Sequence, residues 1–121
     1  MLATPDAAAP GLTQPVLTAG PLEIRPAELQ VLADGQRANL TVREFEVFFA
    51  LAEQQDRVVT REQVYRRVWS GQMAHRDRSV DVFVRKLRHK LADAAPGWAF
   101  IHTRFGIGYR FSPEPLPASR R

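Results

Sequence analysis

The side chains best placed to do chemistry lie between Arg78 and Leu91. Wound as a helix at about 100° per residue, Val80, Val84, Leu87 and Leu91 form one apolar stripe, with Phe83 at its edge. Arg78, Ser79, Val82, Arg85, Lys86 and His89 fall on the opposite side, and Arg88 on the flank. No acid interrupts that opposite side. Asp81 lies beside it, near Arg85 and Arg88, and is expected to orient them. Guanidinium groups make forked contacts with phosphate and with the guanine edge, while a valine among them suits a thymine methyl better than it suits water. A basic helix face alone is a common solvated surface, so the reading depends on what surrounds it.

The charge distribution sharpens it. Residues 1–56 carry a net −5, residues 57–110 a net +8 and residues 111–121 a net +1, which leaves +4 over 121 residues. Fifteen of the seventeen bases are Arg. A chain so polarised presents one positive face, which attracts a polyanion.

Other chemistries find no footing. The absence of cysteine removes disulfides, thiolate metal sites and cysteine nucleophiles, and fits a reducing, cytoplasmic setting. His75, His89 and His102 share no ligand spacing, so neither metal nor cofactor is expected. Gly106-Ile107-Gly108 lacks the third glycine and following helix of a dinucleotide fingerprint, and Ser70-Gly71 lacks the frame of a nucleophile elbow. The acids sit mostly in the first half rather than paired in a cleft, so no enzyme activity is expected. No apolar run reaches the ~18 residues of a membrane span, and Met1 to Gly20 lacks the basic start and apolar centre of a signal peptide.

The elements that must hold the basic face follow from local pattern. Residues 1–20, with Pro5, Pro10 and Pro15 among alanines, read as a flexible linker, and 113–121 as a tail. Between them, 21–112 holds the domain. Short extended pieces at Leu22–Arg25, Leu29–Leu32 and Arg37–Leu40, broken by Pro26 and Asp34-Gly35, predict a small antiparallel meander. Thr41-Val42-Arg43-Glu44 is a capping box that opens a helix running to Gln54, and Thr60-Arg61-Glu62-Gln63 opens a second, stopped at Ser70-Gly71. The basic helix comes third, after a polar loop, and Pro96-Gly97 ends it. Ala99 to Phe111 alternates as a strand pair around Phe105-Gly106-Ile107-Gly108. Helix, loop, basic helix and glycine hairpin together suit a helix-turn-helix with a wing.

From Leu22 to Phe111 the sequence resembles the winged-helix effector domain of OmpR/PhoB-type response regulators. The words that carry the resemblance are Leu40-Thr41-Val42-Arg43-Glu44-Phe45-Glu46, Val58-Val59-Thr60-Arg61-Glu62-Gln63, Val68-Trp69, Arg78 through Arg88, and Gly106-Ile107-Gly108-Tyr109-Arg110-Phe111. The resemblance implies an α+β fold: an N-terminal antiparallel four-stranded sheet, a three-helix helix-turn-helix core and a C-terminal β-hairpin wing. It implies sequence-specific binding of double-stranded DNA by a bacterial-type transcriptional regulator, with the recognition helix, about 78–91, in the major groove and the wing, about 100–111, at the minor groove.

By the same resemblance Arg78 and Ser79 lie near phosphates, and Val82, Arg85, Lys86 and Arg88 point at base edges or backbone. Phe83 and His89 belong to that helix surface, Trp69 packs near the DNA backbone, and Thr103, Arg104 and Tyr109 hold wing positions. The loop Ser70–Asp77 corresponds to a segment that touches RNA polymerase, and tandem pairing on DNA is expected.

The chain also departs from the family. Phe105 stands where an Arg commonly precedes the first wing glycine, and strand alternation is expected to turn Arg104 and Phe105 to opposite faces. Phe83 stands where many relatives have His or Tyr. No receiver domain precedes Leu22, and the tether-like residues 1–20 favour an excised effector domain over a solitary regulator. The competing reading is a winged-helix interaction module that recruits RNA polymerase with only non-specific DNA affinity. RNA binding is weaker, because the Val82-centred face suits a B-form major groove.

Overall fold

The computed structural model describes residues 16–117; most of the stretch read as a linker (1–15) and the end of the tail (118–121) lie outside the described residues. The N-terminal sheet is built from β1 (Leu17–Ala19), β2 (Leu22–Arg25), β3 (Gln30–Ala33) and β4 (Gln36–Arg37), antiparallel and in that order. Asp34 and Gly35 both take positive φ, 51° and 81°, which fits the two-residue turn pairing Ala33 with Gln36. The third extended piece therefore reduces to two residues, and Ala38–Leu40 form a connection. Leu22, Ile24, Val31 and Ala33 alternate inward and are buried.

Strand β1 lies inside the segment read as linker. Its side chains alternate too, but only three residues are involved, and the prolines and alanines around them mask the signal. Leu17 pairs with Ile24 and Ala19 with Leu22, so the domain begins before residue 21.

Both capping boxes form. Thr41 Oγ1 accepts the Glu44 amide at 3.1 Å while the Thr41 amide donates to Glu44 Oε1 at 2.8 Å, opening α1 (Val42–Ala52). Thr60 and Gln63 repeat the exchange at 3.0 and 2.8 Å, opening α2 (Arg61–Trp69). Such caps each contribute about 1 kcal/mol. Glu44 has a second task. It is buried, and it also accepts Lys90 Nζ at 2.7 Å, tying α1 to α3 (Ser79–Ala94). Burial alone would raise its carboxyl, but the Lys90 and Thr41 bonds outweigh that and hold it below its ordinary value.

Strands β6 (Trp98–Arg104) and β7 (Gly108–Pro115) form the hairpin, and β5 (Val58–Thr60), between α1 and α2, adds a third strand in the order β5-β7-β6. The local signature of β5 is only its β-branched run Val58-Val59-Thr60, too short to read as a strand while its partners, Gly108 to Arg110, lie about fifty residues on. Where β5 stops pairing, β7 continues through Pro113 and Pro115, past residue 112. Proline is tolerated there because no neighbouring strand needs its amide on that side. Gly108 marks the closest approach: a Cβ there would sit 2.1 Å from the Val59 carbonyl oxygen.

The core lies between the helices and both sheets. Phe48 of α1 meets Phe111 of β7 edge-on at 5.3 Å between ring centres, and Val64, Val80, Val84, Leu87 and Leu91 close around them. The predicted apolar stripe of α3 is thus fully buried, and that burial determines which side of the helix is left outside.

Candidate nucleic-acid interface

Helix α3 starts where Asp77 Oδ1 accepts the Ser79 amide at 2.8 Å, and hydrogen bonding from Ser79 holds the Asp77 carboxyl below its ordinary value. Ser79 is half-buried at this start. With the stripe facing the core, Arg78, Val82, Arg85, Lys86 and His89 share the outer side and are exposed, Val82 at 37%. Among the described residues no ion pair involves Arg85, Lys86 or His89, and Arg78 makes only a long contact to Asp81, 3.7 Å. The result is a face of positive charge with an apolar spot at its centre and no acid on it.

The flank of α3 is a different environment. The Arg88 guanidinium donates to the Ile101 carbonyl at 2.9 and 3.1 Å and to Thr103 Oγ1 at 2.7 Å, fixing the helix to β6. One turn pair away on the same flank, Asp81 accepts Arg61 Nε at 2.7 Å and the Tyr109 hydroxyl. The Tyr109 ring lies between two cations, with Arg61 Cζ 5.2 Å and Arg88 Cζ 5.7 Å from its centre. Burial would raise the Asp81 carboxyl, but the bonds from Tyr109 and Arg61 prevail and hold it below its ordinary value. Burial, and then the bond to Asp81, push the Tyr109 phenol upward.

Two expectations change as a result. Asp81 orients neither Arg85 nor Arg88; it joins α3 to α2 and β7. Tyr109 is 5% exposed, turned inward by the β5-β7-β6 pairing, and so presents no surface at the wing. Arg88, although exposed, engages the Ile101 carbonyl and Thr103, so both side chains are already held within the domain.

Trp69 is half-buried against the core. It stacks on Tyr65 at 5.0 Å, meets Phe83 at 5.6 Å, and carries the Arg43 guanidinium 5.0 Å from its ring centre. Phe83 is therefore part of the packing between α2 and α3, with Lys86 Nζ 5.3 Å above its ring. At the wing, Arg104 and Phe105 are both exposed, because the strand ends at Arg104 and Phe105 belongs to the turn. Alternation stops at Arg104 and does not extend to Phe105.

Sequence reasoning missed Arg61. A signal was available: an arginine at the first position of a helix opposes the helix dipole, so it needs a partner. The structure supplies Asp81, twenty residues on.

Among the described residues there is no cluster of three or more side chains suited to hold a metal ion, and no helix long and apolar enough to cross a membrane.

Known proteins share this arrangement. A family described as the C-terminal part of transcriptional regulatory proteins matches residues 35–111. The transcriptional regulatory protein SrrA of Staphylococcus aureus is 40% identical over 91 residues, which cover 74% of this chain and 38% of that protein. The chain thus spans well under half the length of that relative. The DNA-binding domain of CpxR from E. coli superimposes with a TM-score of 0.74 at 30% identity, over 82% of this chain and 97% of that one. The Klebsiella pneumoniae RstA DNA-binding domain, solved in complex with the RstA box, gives 0.73 at 29% identity, over 82% and 98%. Since the family match runs from the last strand of the N-terminal sheet through all three helices and into β7 of the hairpin, the chain belongs to the OmpR/PhoB-type C-terminal domains of transcriptional regulatory proteins.

Proposed function

We infer that this domain binds double-stranded DNA in a sequence-specific manner, as the effector domain of a transcriptional regulator. One observation carries the reading: the outer side of α3 bears Arg78, Arg85, Lys86 and His89 around Val82, and none of the described residues covers it. A helix enters the major groove, where arginine reads guanine and an apolar group reads the thymine methyl. Phosphate contacts supply most of the affinity and base contacts the discrimination. In this reading α3 is the recognition helix and the β6–β7 hairpin lies against the adjacent minor groove. The RstA domain, solved in complex with the RstA box, supports DNA binding by likeness of fold. RNA polymerase, through the loop 70–77, and a second copy on tandem half-sites are the further partners this reading includes.

Selection from a random duplex library tests it. A defined motif should be enriched, and with about 4–6 phosphate contacts per protomer log K should fall against log salt with a slope of about −4 to −5. Uniform weak binding with no motif, joined to tight capture of RNA polymerase, would replace it with the interaction-module reading.

A further inference from the structure

At the end of the wing stands a side chain that a free protein has no use for. Phe105 is 91% exposed, the most exposed large apolar side chain among the described residues, and Ile107 beside it is 51% exposed. A tip meant only for solvent favours polar residues, yet this one presents an aromatic ring, a branched aliphatic chain and Arg104.

The tip is also held stiffly. The Ile107 amide donates to the Arg104 carbonyl at 2.9 Å, and Gly106 takes the positive φ of 77° that this tight turn requires. Below the turn Gly108 lies against the β5 backbone, and Thr103 is gripped by Arg88 from α3. From that grip the chain runs two residues to Phe105, about 7 Å at strand rise. The ring is therefore a rigid projection whose position is set by the helix that carries the basic face.

We propose that Phe105 is an apolar wedge that enters the minor groove beside the DNA site and partly unstacks one base step. The inference rests on the DNA-binding reading above. The occupant is fixed by continuity with the basic face, since Arg88 holds hairpin and helix in one body, and by charge. Arg104 flanks the ring, and there is no acid from Arg104 to Gly108, which suits a phosphate-lined groove. Apolar side chains inserted from the minor groove unstack and kink duplexes at flexible steps, so the wedge also selects sequence through deformability. Pyrimidine–purine steps are the ones it favours.

The test uses the 121-residue chain and a duplex carrying its selected site, with 2-aminopurine placed singly at each flanking position. Binding should raise emission about twofold or more at one step, the mark of lost stacking. Phe105→Ala should remove that rise and weaken binding about tenfold, while Phe105→Leu retains part of both. Arg104→Ala should lower the salt slope by about one and leave the rise in place. Tight, sequence-selective binding with no change in emission at any step would overturn the wedge while leaving the DNA-binding reading intact. Loss of self-association in Phe105→Ala, with DNA binding unaltered, would also overturn it by assigning the ring to a protein contact. Failure to enrich any motif in the selection would instead strike the reading on which the wedge rests.

Discussion

Arg85 and Arg88 lie one helical turn apart on α3, and their surroundings share almost nothing. Arg85 sits on the outer side with Arg78, Val82, Lys86 and His89, and no acid or carbonyl among the described residues engages it. Arg88 is held by the Ile101 carbonyl and the Thr103 hydroxyl, and with Asp81 it forms a flank that joins α3 to α2, β6 and β7 around the Tyr109 ring. One helix thus uses the same kind of side chain in two ways. On the flank, charge is consumed to fix the hairpin against the helix; on the outer side, charge is left unpaired for a partner to meet. The first arrangement makes the second useful, because the face and the wing can serve one duplex only if their relative placement is set beforehand.

The comparison breaks most severely at Tyr109. Replacing it with alanine empties a buried site between two cations and removes a donor to Asp81, and should cost about 3–5 kcal/mol, measured as a shift in the urea midpoint with unchanged m-value. Asp81→Asn should cost about 1–3 kcal/mol, because Arg61 and Tyr109 then lose their anionic partner. The pH dependence separates this from a packing defect. The folded carboxyl titrates below its unfolded value of 3.8, so its contribution is complete above that value and disappears as pH falls through the lower, folded value. The variant should therefore lose stability at neutral pH and lose less than the parent does on further acidification. An unaltered acid limb would show that Asp81 is not an ionised anchor.

Arg88 and Arg85 then part company in a crossed experiment. Arg88→Ala should lower stability by about 1 kcal/mol, discounted for its exposure, and weaken binding equally to the selected site and to variants of the bases that α3 reads, since wing placement slackens. Arg85→Ala should leave stability within about 0.5 kcal/mol of the parent while costing about 1–3 kcal/mol on the selected site and less on random DNA. If Arg85→Ala instead unfolds the domain, the outer side is structural and the comparison is lost.

These roles were unequally legible in the sequence. The capping boxes at Thr41 and Thr60 and the stripe from Val80 to Leu91 are written within a few residues of themselves, so local spacing reads them correctly. Which flank of α3 would be covered is not written there. Helical spacing put Arg88 and Asp81 beside the basic face, but only the long-range pairing of β5 with β7 brings Tyr109 and Arg61 to that flank. Strand β5 escaped notice for the same reason, as a three-residue element whose partner is remote in sequence. Trp69 and Phe83 are ambiguous in the sequence, because an aromatic at a helix end or stripe edge serves contact and packing equally well. The rings of Tyr65 and Trp69, stacked across α2, make it packing.

Val82 offers the finest distinction between the two sides. It is an exposed valine on a helix surface where water would favour a polar residue, and its replacement should barely change stability. If it meets a thymine methyl, exchanging that thymine for uracil in the selected site should weaken binding by about 0.8 kcal/mol, the value of one buried methyl-sized group, or about fourfold. Val82→Ala should shrink the difference between the two bases toward zero without altering the salt slope, since no charge is involved. Arg88→Ala should leave that difference as large as in the parent, because a slackened wing does not alter what the helix reads. A uracil penalty equal in Val82→Ala and parent would assign the methyl to another side chain, and the apolar centre of the basic face would lose its place in recognition.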